Sequence, residues 1–422
     1  LARDCRLFIP ILNPTDAEID VARTEAWGAD GRGISIRYTV RTQGAAPRQR
    51  LIACRFDDSG EGERRQPIAI ATEAGPVGDI RMYFLRRYWL TARTLTSDPA
   101  PLADVEDLLQ LPAPVAATLQ QVLSGLPAIA IYALLAASYA LIYGLIGRIN
   151  LAFGELAMLG GYGAVLGFSL TAAGASTTGA VALGVAVAAL AGLATAAVYS
   201  AAAALWIFRP LMGASLNHLL VATLGLALAM EEFVRLAQGN GMHWLPPFFN
   251  QPMALARAGT FIVTVTAIGI AVIVAAAAAV LATLYVMKAS RFGRAWRAFA
   301  DDPLAAAMFG VSPAGILTAT FLLAGVLSGL GGVVMALFYG GVGYSGGLAL
   351  GLKALFAAII GGIGSVPGAI FGGLVLGALE AAWSLAFRIE YRDAFLFCLL
   401  AIVIVLRPNG LFGWGQVPEK RV

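Results

Sequence analysis

The spacing of apolar residues divides the chain near residue 100. Before that point the apolar runs are short. In GISIRYTV (33–40), Ile34, Ile36, Tyr38 and Val40 alternate with Ser35, Arg37 and Thr39, the period of a strand with one face buried. QRLIACRF (49–56) and QPIAIATE (66–73) also have strand composition, and Gly, Asp and Pro separate the runs as turns require. The aromatic and basic stretch 81–94 reads as a further strand. Together these runs predict a small β-rich N-terminal soluble domain over 1–100, built as one sheet or a compact sandwich. A polar joint with Pro99, Pro101, Pro112 and Pro114 follows, and a linker is placed at 101–118.

Beyond the joint the apolar runs are long: 119–147, 151–170, 180–208, 216–230, 260–287, 315–339, 352–379 and 394–406. A helix needs ~20 apolar residues to cross a bilayer. The pattern predicts a polytopic α-helical membrane protein with about eight transmembrane helices, its membrane domain over 119–413 and a polar tail at 414–422. Ser124, Gly125 and Pro127 predict an interfacial turn at the start of the first run. The last run is short for a crossing, so the side of the C-terminus stays open.

Composition agrees with a membrane protein. Apolar residues make up 59% of the chain and charged residues 13%, with a mean hydropathy of +0.77, whereas soluble domains carry roughly 25% charge. The net charge of +4 is not that of a nucleic-acid binder, and the positive excess falls in 121–422, largely in short loops and tails. The clearest such loop is KASRFGRAWRAFADD (288–302), with Lys288, Arg291, Arg294 and Arg297 between two apolar runs. A short basic loop faces the cytoplasm. Five preceding crossings place residues 1–100 outside, in the periplasm of a bacterial inner membrane; four crossings, with one run a re-entrant pair, would place them inside. The three cysteines and two histidines have no metal-ligand spacing, and an outer domain permits a Cys5–Cys54 disulfide.

Three features carry candidate chemistry. Within the segment 288–313, Arg291, Arg294 and Arg297 fall along one side of a helix. Asp302 and Pro303 read as an N-cap and first helical residue, and Gly310 as a C-terminal cap. The short capped helix between them suits docking on a cytoplasmic partner through Arg294, Arg297, Asp301, Asp302, Pro303, Leu304, Met308, Phe309 and Gly310; the plain alternative is a charged turn that anchors two helices. GGIGSVPG (361–368) holds five glycines and prolines in eight residues and cannot form a smooth helix. Its Gly361, Gly362, Gly364, Ser365, Pro367 and Gly368 either line a substrate path or serve tight packing of a kinked helix. Glu155 starts a membrane segment that Asn150 caps. Its carboxylate needs a partner or a polar cavity, and Arg148, Arg209 and backbone donors in the same cytoplasmic rim are candidates; the plain alternative is a helix end near the headgroups. Lys353 and Glu380 read as snorkelling residues at opposite faces of the run 352–379, and His218 as a helix-end histidine.

Several of these stretches resemble one family. RINLAFGELAMLGGY (148–162), GRAWRAFADDPLAAAMFGVSP (293–313), GLKALFAAIIGGIGSVPGAIFGGLVLGALE (351–380) and RPNGLFG (407–413) are similar to the signature segments of LivH-type permeases. These are the membrane subunits of ABC importers for branched-chain amino acids, with urea and short-amide relatives. The resemblance implies a non-catalytic translocation subunit. Its partners would be a second homologous permease, two cytoplasmic ATPases and a periplasmic substrate-binding protein. No GxxxxGK[ST] occurs in the chain, so no cofactor is expected here, and ATP and Mg would be bound by the ATPases. Two departures stand out. Phe153 occupies a position where the family usually has histidine, and the first hundred residues extend beyond a minimal permease. Urea or short-amide import is the alternative within the family. An ion-coupled secondary carrier and a membrane sensor are alternatives of another class.

Overall fold

The structure is a computed structural model and describes residues 5–6, 8–9, 18–27, 33–41, 48–56, 67–72, 75–76, 109–172, 178–245, 252–258, 261–362, 364–387, 391–407 and 410. The chain forms two compact units, Leu1–Asp104 and Val105–Val422.

The first unit is an antiparallel sheet in sequential order: β1 (Glu18–Trp27), β2 (Gly33–Arg41), β3 (Arg48–Phe56), β4 (Pro67–Thr72) and β5 (Gly75–Pro76). Strands β2 to β4 fall on the three runs read from the sequence. Ile36, Tyr38 and Val40 are buried with Ile52, Cys54, Ile70, Phe8 and Ile9, as period-two alternation requires. Strand β1 is an addition. Its register shifts between Val21 and Arg23, and a bulge there interrupts the alternation that marks a strand. Cys5 and Cys54 form a disulfide with a Cα–Cα distance of 5.9 Å. The strand expected at 81–94 lies outside the described residues.

The second unit is a helical bundle. In order come α1 (Ala113–Ile146), α2 (Phe153–Ala172), α3 (Thr178–Ala203, closed by a π turn at Ala204–Phe208), α4 (Leu216–Gln238), α5 (Ala267–Ala289), α6 (Arg291–Asp301), α7 (Pro303–Met308), α8 (Pro313–Tyr339), α9 (Gly347–Gly361), α10 (Val366–Ala386) and α11 (Arg392–Leu406). A three-stranded sheet of β6 (Leu109–Gln110), β8 (Pro252–Ala258) and β9 (Phe261–Thr266) lies against α1, and β7 (His243–Trp244) pairs with β10 (Gly341–Val342). Among the described residues six helices, against about eight read from the sequence, are long and apolar enough to cross a membrane: Ala113–Ile146, Phe153–Thr171, Gly179–Phe208, Ala267–Ala289, Pro313–Tyr339 and Val366–Ser384.

Four sequence readings change. The first helix has no interfacial turn; it runs through Pro127, which is buried. Ser124 donates to the Gln120 carbonyl at 2.8 Å, while the Gln120 amide bonds the Thr264 N–H at 2.7 Å and its carbonyl at 3.1 Å. The sheet therefore holds the first turns of α1. The run 260–287 begins as a strand, because FIVTVT is rich in β-branched residues. Its helix starts at Ala267, where the Thr266 hydroxyl caps Gly269 at 3.2 Å. The run 216–230 continues as helix to Gln238 through a Glu232–Arg235 pair at 2.5 Å. The run 352–379 is two helices rather than one crossing. A Cβ on Gly361 would strike the Gly368 carbonyl, and one on Gly372 would strike Ala357, so α9 and α10 pack antiparallel.

The bundle interior relies on small residues, which allow helices to approach closely where lipid gives no hydrophobic drive. Ser138 donates to the Ala324 carbonyl at 2.7 Å and Ser200 to the Phe321 carbonyl at 2.6 Å. A Cβ on Gly332 in α8 would lie 2.8 Å from the Gly161 nitrogen and strike the Ala157 carbonyl of α2. Gly332→Ala is expected to destabilise the unit by about 1–3 kcal/mol through overpacking. Gly225→Ala, where nothing lies within 4 Å, should be neutral or stabilising; melting of the two variants in detergent measures the difference. In the sheet unit, Cys54→Ser in the full chain should cost about 2–4 kcal/mol, read as faster proteolysis within residues 1–104.

Candidate functional site

The basic segment folds as two short helices in tandem. Ser290 caps α6 by accepting the Gly293 N–H at 3.1 Å. Trp296 and Phe299 are buried, and the Trp296 indole N–H donates to the Leu141 carbonyl of α1 at 3.2 Å. Arg294 donates to the Ala289 carbonyl at 3.2 Å, and Arg297 donates to the Met287 carbonyl. Both guanidinium groups therefore serve the C-terminal carbonyls of α5, where cations complement the helix dipole. Asp302 caps α7, accepting from the Leu304 and Ala305 N–H groups at 2.9 and 3.0 Å, with Pro303 in the first turn. Gly310 has a positive φ of 87°, and Ser312 caps α8 through the Gly315 N–H at 3.2 Å. Asp301 ends α6 and is exposed. The outcome is a rigidly capped knob: Leu304, Met308 and Phe309 are 75%, 82% and 91% exposed, while Ala306 is buried.

Glu155 lies deep in the bundle. Tyr139 lies seven residues before the end of α1, and its hydroxyl accepts the Asn150 N–H at 3.2 Å. The chain thus folds back, and α2 begins roughly two turns, or about 10 Å, inside the end of α1. Asn150 Oδ1 accepts the Ala152 N–H at 3.0 Å, and the Thr223 hydroxyl of α4 accepts the Leu151 N–H at 3.3 Å. The Phe153 ring stands edge-on to Tyr139, with centroids 5.1 Å apart.

The Glu155 carboxylate abuts Gly347, where a Cβ would overlap it, and a Cβ on Gly154 would strike the Gly347 carbonyl. Glu155 thus sits at the N-terminus of α9, facing the first-turn N–H of Leu348 with Glu231 as the neighbouring acid. It is 1% exposed, and among the described residues neither oxygen finds a hydrogen-bond partner. The expected arginine partners are not there. Arg148 donates to the Ala214 carbonyl at 2.6 Å, and Arg209 is exposed at the end of the π turn. No described backbone donor of the rim around Arg148 and Arg209 bonds it either; what stands nearest is the first turn of α9, where a helix N-terminus presents N–H groups.

The glycine break lies at the other end of α9. Gly362 and Gly364 have φ of 119° and 91°. Ser365 caps α10 by accepting the Gly368 N–H at 3.2 Å, with Pro367 in the first turn. Gly361 meets Gly368, and Gly410 meets Gly362. Gly364 lies near Gly144, whose own neighbour is the Trp296 ring. Asn150 and Glu155 are therefore brought together, and the residues of the break are grouped beside α6, a helix length away. Lys353 and Glu380 do not snorkel to opposite faces: the antiparallel fold of α9 on α10 makes them an ion pair at 3.3 Å.

Sequence reading missed Tyr139, Thr223, Trp296 and Gly347. Trp296 carried a signal, being spaced three residues from Phe299 on a basic helix. Gly347 carried none, since its partner Glu155 is far away in sequence.

The chain matches the family model described as "Branched-chain amino acid transport system / permease component" over residues 121–404. It is 32% identical to the high-affinity branched-chain amino acid transport system permease protein LivH of Escherichia coli K12 over 302 residues, covering 71% of this chain and 97% of that protein. It is 31% identical to the permease protein BraD of Pseudomonas aeruginosa over 301 residues, 71% of this chain and 97% of BraD. A shorter similarity, 30% over 129 residues, covers 29% of this chain and 35% of the fructose import permease protein FrcC of Rhizobium meliloti. No solved structure matches. The match spans the buried Glu155, the tandem helices and the glycine break alike, and the chain belongs to the family of branched-chain amino acid transport system permease components.

Proposed function

We propose that this protein is a translocation subunit of an ABC importer that carries branched-chain amino acids across a bacterial inner membrane. The observation that carries the reading is the match to permease components along almost the whole length of LivH and BraD. In this reading a second, homologous permease completes the membrane pair. Two cytoplasmic ATPases bind ATP and Mg, and a periplasmic binding protein delivers the substrate.

The knob of Leu304, Met308 and Phe309 is the surface offered to an ATPase, because three large apolar side chains on one capped turn need a partner to leave water. Trp296, bonded to α1, ties that knob to the bundle. The substrate passes Glu155, whose incompletely paired carboxylate accepts the ammonium group of an amino acid. Broken helices whose ends converge inside the membrane are how carriers expose polar groups to cargo. Since α1 reaches α6 with its C-terminal end, the chain before α1 is assigned to the opposite, periplasmic side, where the Cys5–Cys54 disulfide is chemically favoured.

Reconstitution with the neighbouring subunits tests this. ATP-dependent uptake is expected for leucine, isoleucine or valine and not for urea or short amides; uptake of the latter alone would replace the substrate assignment. Met308→Asp places an unpaired charge in the ATPase contact, at a cost of about 2 kcal/mol or more. It should abolish coupled ATP hydrolysis while the permease still inserts. Glu155→Gln should raise the half-saturating leucine concentration by roughly tenfold, with the assembled complex recovered in equal yield. An Ala26→Cys variant should react with a membrane-impermeant thiol reagent in spheroplasts; reaction only after permeabilisation would reverse the side assigned to residues 1–104.

A further inference from the structure

At the end of the bundle away from α6, four helices send polar side chains to one point: Tyr132 from α1, Lys353 from α9, Glu380 from α10, and Arg392 with Asp393 from α11. Glu380 Oε1 takes Lys353 Nζ at 3.3 Å and Arg392 Nη1 at 3.0 Å, and Lys353 Nζ also reaches Asp393 Oδ1 at 3.1 Å. The ammonium of Lys353 donates to the Tyr132 hydroxyl at 3.5 Å and lies 5.8 Å from its ring centroid. Among the described residues the two cations and two carboxylates of the cluster cancel.

The pairing is nevertheless incomplete. Glu380 Oε2 and Arg392 Nε are closed off from solvent and have no hydrogen-bond partner among the described residues. Arg392 Nε stands 3.9 Å from Asp393 Oδ1, beyond a hydrogen bond. The Tyr132 hydroxyl lies close to the Glu380 carboxylate without completing a bond to Oε2. One anionic acceptor and one cationic donor are therefore left over within a neutral cluster, and Glu380 is only 7% exposed. Apolar surface stands beside them. Trp383, three residues after Glu380, stacks on Phe395 at 4.3 Å and on Phe387 at 4.4 Å. The Asp393 side chain is 57% exposed and carries the cluster to the surface of the unit.

The leftover pair selects the chemistry of a ligand. A lone cation or anion would leave net charge on a cluster packed among apolar helices, which is costly. A molecule bearing both an ammonium and an anionic oxygen meets both orphaned groups and keeps the sum at zero. We propose that Glu380 and Arg392 form a binding site for such a zwitterion, with its apolar part against Trp383 and Phe395. Two sources share this chemistry: a free amino acid and the ethanolamine phosphate headgroup of a phospholipid. The first deepens the proposed function, as a loading site at the external mouth, and rests on that reading; the second is independent of it.

The test uses the assembled transporter in nanodiscs of phosphatidylcholine and phosphatidylglycerol, neither of which offers an ammonium N–H. L-leucine is titrated beside isocaproate and isoamylamine, each of which lacks one charge. Separately, phosphatidylethanolamine is doped in and retained lipid is counted by native mass spectrometry. Glu380→Gln keeps an acceptor toward Arg392 but removes the charge, and Arg392→Lys keeps the charge but removes the Nε–H. Each variant should weaken leucine binding or phosphatidylethanolamine retention by roughly tenfold, and single-charge analogues should bind comparably more weakly than leucine. A loss for leucine assigns the amino acid as the ligand, and a loss for phosphatidylethanolamine alone assigns the headgroup. Leucine affinity and lipid retention both unchanged in Arg392→Lys, the variant that preserves the ion pairs, would overturn the site and leave a structural clamp. If wild-type complex takes up no leucine while lipid retention falls in the variants, the substrate reading fails and the zwitterion site stands.

Discussion

Backbone polar groups cannot be left without partners at membrane depth, and that constraint governs every point where this bundle stops being helical. Between α1 and α2 four donors are served: Gly147 by the Tyr143 carbonyl at 2.7 Å, Asn150 by Tyr139, Leu151 by Thr223 and Ala152 by Asn150. Between α9 and α10 the break serves itself, with Gly362 bonded to Ala358 at 3.0 Å and Gly368 to Ser365. Before α9 the chain borrows a strand, pairing Gly341 and Val342 with Trp244 and His243. At the first turn of α9 the group facing the N–H donors is a charged one, Glu155.

The short helix α9 gains meaning from this. Its fifteen residues span about 22 Å, less than the ~30 Å hydrocarbon core. It is therefore too short to cross alone, and it runs from the buried Glu155 to the glycine break beside Trp296. The two regions singled out by chemistry, one polar and buried, one apolar and exposed, are joined by one helix on one side and by α1 on the other, where Trp296 bonds Leu141 two residues from Tyr139. Contact of this kind makes a connected scaffold; the energetic coupling through it is a separate quantity.

What could be read from the sequence was local. The caps at Asp302, Gly310 and Ser312 depend on residue types within a few positions of each other, and they stand where the pattern put them. Strands β2 to β4 follow from uninterrupted alternation. The misreadings have nonlocal causes. Pro127 breaks an isolated helix but not one whose first turns are tied to Thr264. The run 352–379 looks continuous because α9 and α10 are equally apolar, and only the packing of Gly361 on Gly368 shows that the chain reverses. Reversal then brings Lys353 to Glu380, a pairing that cannot be deduced while the run is taken as one straight helix. Glu155 was conspicuous as a carboxylate in an apolar stretch, yet its neighbour is a glycine nearly two hundred positions away, and glycine announces nothing about what approaches it.

The two buried carboxylates show two ways to keep a negative charge among apolar helices, and the difference decides what each can bind. Glu380 is balanced by whole charges on Lys353 and Arg392. Adding another full charge disturbs that balance, so its spare oxygen suits a ligand that brings a charge of each sign. Glu155 faces a helix N-terminus, equivalent to roughly half a positive charge, and neither oxygen is bonded. A partial charge does not neutralise a carboxylate, so the first turn of α9 holds Glu155 without satisfying it. In the reading proposed above, Glu155, more than the glycine break, has both the burial and the unfilled bonding capacity for the charged end of an amino acid.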